Sequence, residues 1–204
     1  IANSSGGDLF LSLHCNSWFN DGAHGLETYF LSPAQSDWAK SVEAAENRAG
    51  RPAGTEGEPD DVEFIVWELV QNRFISSSSQ LAETIQNEVT RDLGMPNRGV
   101  RQAGFRVLVG AAMPAVLVEV AFISNPEEEK LLSSGAYQAK IARALMRGIA
   151  RYRRERAARL GTGSVDQDRR PGASVAMAGG LGAGARGCPA RAVEAGRRDG
   201  PDPL

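Results

Sequence analysis

Two residues in this sequence have the type and the setting for proton or metal chemistry, Glu119 and His14. Glu119 lies inside Ala115 to Ile123 (AVLVEVAFI), a nearly unbroken apolar run rich in β-branched residues. That composition fits a central strand buried on both faces. A carboxylate removed from water without a partner is costly or changes its pKa, so the fold must supply a cation, a metal or a proton to move. The plainer alternative is a buried Glu paired with an Arg for structure. His14 closes Asp8 to His14 (DLFLSLH), a short strand rich in Leu and Phe. If that strand runs parallel to the central one, His14 and Glu119 emerge at the same edge of the sheet. A neutral imidazole beside a carboxylate there fits a zinc site with an acid/base partner. A strand-end His can equally be structural or lie on the surface.

Other candidates are weaker. Cys15 follows His14, but adjacent strand residues point to opposite faces, so His14 is badly placed to act as its base. His24 sits in a Gly-containing loop and reads as loop or supporting residue. Arg98 and Arg101, in a polar, Gly-containing stretch before a strand, could clamp an anionic ligand or simply face solvent. The sequence contains no HExxH helix, no GxSxG elbow, no P-loop and no GxGxxG.

The elements that must position these residues follow from the local pattern. After a loop (CNSWFNDGAHG), Leu26 to Leu31 returns to strand composition, closed by Ser32-Pro33. A helix is expected from Ser36 to Ala49, with Trp38, Val42 and Ala45 on one stripe, and a surface loop from Gly50 to Glu58. Pro59, Asp60 and Glu63 resemble a capping start, after which Val62, Ile65, Val66, Leu69 and Val70 recur at helical spacing. Ser76 to Ser79 interrupts that pattern, Leu81, Ile85 and Val89 resume it, and Gly94 and Pro96 end it. Asn97 to Gly104 reads as a loop, Phe105 to Val109 as a strand and Gly110 to Met113 as a tight connection. Beyond the central strand, Asn125 can cap, Pro126 suits the first helical position, and Glu127, Glu128 and Glu129 load the positive end of the dipole. A last helix over about Ala136 to Ala158 has the stripe Ile141, Leu145 and Ile149 and an outer face of Lys140, Arg143, Arg147 and Arg151. A strand running at once into a helix is half of an α/β unit, and open α/β sheets hold their chemistry at the carboxyl ends of strands.

The chain as a whole sets bounds on these readings. Its 204 residues suggest one domain with a tail, and 42% hydrophobic and 24% charged residues are ordinary for a globular protein. A net charge of -2 gives no reason to expect nucleic acid, and no apolar run is long enough to cross a bilayer. Cys15 and Cys188 set neither a disulfide framework nor a metal knuckle. From residue 161 to 204 the chain is Gly, Ala, Arg and Pro without apolar periodicity, which predicts a disordered tail behind a domain over 1–160.

Taken together, these stretches resemble the catalytic domain of the zinc-dependent N-acetylmuramoyl-L-alanine amidases of bacterial cell walls. DLFLSLHCNS resembles the family's strand ending in a zinc-binding His, and GLETYFLS the strand after it. SVEAAENRAG resembles a helix carrying a Glu-Asn pair, here Glu46 and Asn47, and SSSSQLAETIQ resembles the family's Ser-x-x-Leu-Ala helix. NRGVRQAGFRVLVGAAMPAVLVEVAFISNPEEEKLL matches the Arg-Gly-Val-x-Gln-Ala stretch, the next strand and the catalytic-Glu strand almost without a gap. The likeness covers about Gly7 to Arg151.

The resemblance implies an α/β domain with a mixed, mainly parallel sheet between helices. It implies one zinc ion held by two His and one Glu, with His14 a ligand, Glu119 the catalytic carboxylate, and Arg98 and Arg101 candidates for binding substrate. The implied substrate is peptidoglycan, cut at the amide between N-acetylmuramic acid and L-alanine, in the periplasm or wall, with a protein activator as a possible partner. The family's other two ligands precede the region matching Asp8, so they are expected upstream of Ile1, the first residue of this sequence. Neither His24 nor Glu27 matches a ligand position. The chain therefore reads as a fragment beginning inside the domain, without its first strand and helix, and weak or no zinc binding and little activity are expected of it alone. Glu43 to Glu58 is a candidate occluding or partner-contacting segment. The competing reading is a non-catalytic peptidoglycan-binding or regulatory relative, or an inactive fragment.

Overall fold

A computed structural model describes residues 2–32, 36–49, 61–159, 161 and 176–178, with the side chains of 49, 61–72 and 176–178 outside that description. The strands are β1 (Phe10–Asn16), β2 (Leu26–Leu31), β3 (Asn97–Ala103), β4 (Ala115–Phe122) and β5 (Ala176–Ala178). The helices are α1 (Asp37–Ala49), α2 (Asp61–Leu93), α3 (Pro126–Leu132) and α4 (Gly135–Arg159). The strands form one sheet in the order β3-β2-β4-β1-β5. β1 pairs in parallel with β4 and β5, β2 pairs in parallel with β3, and β2 is antiparallel to β4. The sheet is thus mixed and mainly parallel, as expected. Its central strand, β4, is buried at all eight positions, and that is why its sequence is apolar almost throughout.

Side-chain alternation along the strands separates two cores. On one face Leu11, Leu26, Phe30, Val116, Val118 and Val120 pack with Leu81, Ile85 and Val89 of α2 and with Ile141, Leu145 and Ile149 of α4. On the other face Phe10, Tyr29 and Leu117 pack with Ala39 and Val42 of α1 and with Phe105 and Leu108. His14, Glu27 and Glu119 belong by parity to this second face. Gly148 allows the two large helices to close on each other, since a Cβ there would meet Ile85 Cδ1 at 2.9 Å. Arg147 pairs with Asp92 and Arg151 with Glu88 along the rim of the same contact.

α2 is one unbroken helix through Ser76 to Ser79. The serine run is tolerated, and Ser78 has a use in it, because its hydroxyl accepts the Ala115 N–H at the start of β4. Two stretches differ from the reading of the sequence. Asn97 to Gly104, expected as a loop, is mostly the edge strand β3, whose polar composition reflects its part-exposed position. Phe105 to Val109, expected as a strand, turns as a short 3₁₀ helix over Arg106–Leu108 that buries Phe105 and Leu108 beneath the sheet. In the expected tail, Ala176–Ala178 pairs along the outer edge of β1, where its backbone can satisfy that strand's free groups. Apart from Gly161, the rest of that segment, like Gly50 to Asp60, lies outside the described residues.

Candidate metal and catalytic centre

His14 and Glu119 are direct partners in the parallel β1–β4 register. Adjacent strands put their side chains on one face at one level, so the two residues share the edge of the sheet that the sequence predicts and, beyond that, one face of it. The His14 ring is fixed at both nitrogens: Nε2 lies 2.9 Å from Ser12 Oγ, two residues back on the same face, and Nδ1 lies 2.7 Å from Glu46 Oε2. Glu119 is different. Its side chain is fully buried and neither carboxylate oxygen has a hydrogen-bond partner. Burial, then the negative charges of Glu46 and Glu27, hold its carboxyl well above the usual carboxylate range.

Glu46 is the residue the sequence reading did not place here. The expected stripe Trp38, Val42, Ala45 is rotated: Ala39 and Val42 are buried, whereas Ala45 is exposed. Ala39, Val42, Glu43 and Glu46 share one helical face at three- and four-residue spacing, a signal that was present but masked by the large Trp38. Two polar neighbours then dock the helix. Glu43 Oε2 accepts the Gly104 N–H at 2.8 Å, and Asn47 donates to Gly104 O at 3.1 Å while accepting from Arg106 N at 2.8 Å. The 104–106 backbone thus holds Glu46 over His14.

Among the described residues, His14, Glu46 and Glu119 offer one ligand atom each, all within 4.8 Å of one another. One imidazole and two carboxylates are a donor set that zinc accepts, and an orphaned buried carboxylate is what a missing cation leaves behind. The residues fit a divalent metal. The sequence predicts His14 as this chain's one ligand, with the other two upstream of Ile1. The docking of α1 brings a second donor, Glu46, from inside the chain to His14. Ile1 itself lies outside the described residues.

Arg98 and Arg101 are aimed at an internal anion. Three residues apart on a strand, they would normally face opposite sides. The β2–β3 register shifts between Leu26 and Thr28, and Gly99, at φ 89°, takes the extra position, so both arginines reach the face of Glu27. Arg98 Nε bonds to Glu27, and Arg101 Nε lies 3.7 Å from its other oxygen. Tyr29 also donates to Glu27, as does Trp38 Nε1 at 2.9 Å. The Arg98 guanidinium stacks 4.6 Å over Trp38 and 5.1 Å over Phe122. Glu27 is therefore a satisfied structural carboxylate, in line with its lack of a match to any ligand position.

His24 stays in its loop, with Nδ1 against Gly22 O at 2.7 Å. Cys15 lies against the opposite core, and burial together with Glu119, Glu128 and Glu46 pushes its thiol up to about 11. Of the three helix-start glutamates, Glu128 is buried. It accepts the N–H groups of Gly25 and Phe122, at 2.8 and 2.6 Å, and so staples the start of β2 to the end of β4. Asn125 caps α3 as expected, accepting from Glu127 N and Glu128 N.

Residues 1–151 match the family of N-acetylmuramoyl-L-alanine amidases. The chain belongs to that family. The amidase AmiA of Escherichia coli K12 is 37% identical over 156 residues, which span 74% of this chain and 54% of that protein. The chain thus spans about half the length of that relative. The N-acetylmuramoyl-L-alanine amidase of Clostridium difficile 630 has the same architecture, with a TM-score of 0.50, 26% identity, and coverage of 74% of this chain and 60% of that one. The CwlD amidase of Clostridioides difficile, solved in complex with the GerS lipoprotein, is similar at a TM-score of 0.50 and 25% identity, over 74% of this chain and 57% of its own. The amidase match covers β1 to β4 and most of α4, and so contains His14, Glu46 and Glu119. Among the described residues no helix is long and apolar enough to cross a membrane.

Proposed function

We propose that this amidase-family chain hydrolyses the amide between the lactyl group of N-acetylmuramic acid and the L-alanine of the stem peptide. The observation that carries the reading is Glu119, a fully buried carboxylate without a partner, level with His14 on the adjacent strand. His14, with Glu46 beside it, would hold zinc. Bound there, the ion would supply a Lewis acid for the amide carbonyl and would acidify water.

Glu119 acts as the proton carrier. It takes the proton of the attacking water and gives it to the departing alanine nitrogen, so that the amine leaves neutral. Burial and the nearby carboxylates favour its protonated form, which suits it to hold the proton between the two events, while a cation in the site pulls the other way and restores the base. Ser12 and Glu46 fix the His14 ring, which needs no reorientation to bind. Arg98 and Arg101 contribute to substrate binding indirectly in this reading, by holding Glu27 and Trp38 in place. Such a substrate puts the protein in the periplasm or the wall. The CwlD complex supports a protein partner here as well.

The test measures zinc binding by calorimetry and the release of stem peptides from purified sacculi. Glu119→Gln should keep zinc and lose about 10²–10⁴-fold in rate, whereas His14→Ala should lose zinc. Hydrolysis that survives both changes would overturn the assignment. Sacculi bound but never cut, even with zinc in place, would favour a binding role instead.

A further inference from the structure

The loop from Ser17 to Gly25, between β1 and β2, carries an aromatic surface that the proposed chemistry does not use. Phe19 is 89% exposed. Its ring lies 4.4 Å from that of Trp18, and Trp18 in turn lies 4.3 Å from Trp38, which contacts Phe122 at 6.1 Å. Three rings thus run from solvent to the face that holds Glu27 and Glu119.

The loop is pinned on all sides. Trp18 N donates to Ser124 Oγ at 3.0 Å, and Ile123 N donates to Asn16 O at 2.7 Å. Asn125 Nδ2 donates to Asp21 O at 2.8 Å, and Gly22 N to Asn20 Oδ1 at 2.7 Å. At the inner end, Trp38 is locked by its bond to Glu27 and by the Arg98 guanidinium across its ring. Burying a phenylalanine side chain is worth roughly 1.5–3 kcal/mol, yet this rigid loop leaves Phe19 in water. A fixed aromatic surface exposed beside a reactive centre marks a binding site.

We propose that Phe19, backed by the stacked rings of Trp18 and Trp38, presents a platform for a pyranose ring of the glycan strand. The proposal rests on the amidase reading and names the part of the substrate that this surface would take. In N-acetylmuramic acid the scissile carbonyl is only a few covalent bonds from the sugar ring, so a sugar must lie close to Glu119 during hydrolysis. A β-linked N-acetylhexosamine carries its substituents equatorially and shows axial C–H bonds on each face. Those weakly positive, apolar faces complement the negative face of an aromatic ring. The platform continues directly from the candidate centre: Trp38 bonds to Glu27, and Glu27 is the cross-strand partner of Glu119. Sugar stacking there would orient the lactyl arm toward Glu119 and let the stem peptide extend away from the loop.

The experiment titrates the protein with chitotetraose and with peptide-free glycan strands, following Trp18 and Trp38 by fluorescence and NMR. Saturable binding is expected, and Phe19→Ala should weaken it about five- to tenfold with no change in melting temperature, since its side chain is almost wholly exposed. Trp18→Ala should weaken it further. Equal sugar binding by Phe19→Ala and the parent, or no saturable response at all, would overturn the proposal. So would a shift in the monomer–dimer balance on Phe19→Ala, seen by light scattering without a sugar response, because the platform would then be a self-association face. Sugar binding is read without hydrolysis, which separates the two proposals. Phe19-dependent glycan binding without cleavage of sacculi would sustain the platform and sink the amidase reading. Cleavage of sacculi with an unchanged KM in Phe19→Ala would do the reverse.

Discussion

Glu27 and Glu119 are the same residue type, directly opposite each other on the antiparallel β2–β4 pair, on one face of the sheet and both fully buried. Glu27 receives donors from Tyr29, Trp38 and Arg98, with Arg101 close by. Glu119 receives none, and the charges that act on it are those of the carboxylates Glu46 and Glu27. Burying a carboxylate therefore does not by itself mark a site. What separates the two is whether the fold has met the cost of desolvation from its own donors or left it to be met by something that binds. The bulge at Gly99 decides the matter on the Glu27 side, because it turns the arginine of an outer strand inward.

Removing each charge should break the pair apart most sharply. Glu27→Gln leaves Arg98 and Arg101 without their anion. Those side chains are 26% and 30% exposed, so water screens them in part. The loss should lie toward the lower end of the roughly 3–5 kcal/mol seen when one partner of a buried ion pair is removed. For a domain of this size that is a fall in melting temperature of roughly 6–12 °C. Glu119→Gln removes a carboxyl group to which the protein gives no hydrogen-bond partner, so its melting temperature should be unchanged or higher. Calorimetry of the two variants decides the point. A drop for Glu119→Gln as large as that for Glu27→Gln would mean that Glu119 has a structural partner, and the contrast would collapse.

A finer cut asks how Glu27 is held. Arg98→Lys keeps the charge but loses the planar stack on Trp38 and Phe122. The expected cost is about 1 kcal/mol, read by denaturant unfolding. Glycan binding should weaken in parallel, because Trp38 loses the group that packs across it. Arg98→Lys with full stability would show that charge alone secures Glu27.

Much of this arrangement was legible in the sequence, for identifiable reasons. The apolar composition of β1 and β4 marks both as strands, so the meeting of His14 and Glu119 at one edge of the sheet follows once the strands are taken as parallel, whereas their common face and level come from the register between the strands. The Asn125 cap is a local signal and was equally plain. Edge strand β3 was not legible, because an exposed, polar strand with a glycine bulge has loop composition. Its partner β2 makes it a strand, and that pairing is not local. Phe105 to Val109 misled in the other direction: a buried apolar turn has strand composition without strand pairing. Glu46 was hidden because the rotation of α1 is set by the docking of Glu43 and Asn47 on the Gly104 backbone, a contact between segments 57–61 residues apart. The aromatic platform depends on the burial of Trp18 relative to Phe19, on which the loop's composition is silent.

The smallest effect gives the most local readout of the comparison. Cys15 is next to His14 in sequence but faces the other core, and burial followed by the charges of Glu119, Glu128 and Glu46 raises its thiol to about 11. Glu27 is not among these causes. Only the thiolate reacts with iodoacetamide, so alkylation of Cys15, followed by peptide mapping to separate it from Cys188, should be slow at pH 8 and rise toward pH 11. Glu119→Gln removes one of the charges that oppose the thiolate, so the profile should move to lower pH by a fraction of a unit, while Glu27→Gln in its folded state leaves it in place. The sign for stability follows from the same shift. The folded thiol keeps its proton when the unfolded one, near the ordinary value of about 8.5, has lost it. Cys15's contribution is therefore complete below about pH 8.5 and is lost as the pH rises toward 11. Identical alkylation profiles for Glu119→Gln and the parent would mean that Glu119 carries no charge where the thiol can sense it, and the unpaired carboxylate would then rest in the site as a neutral acid.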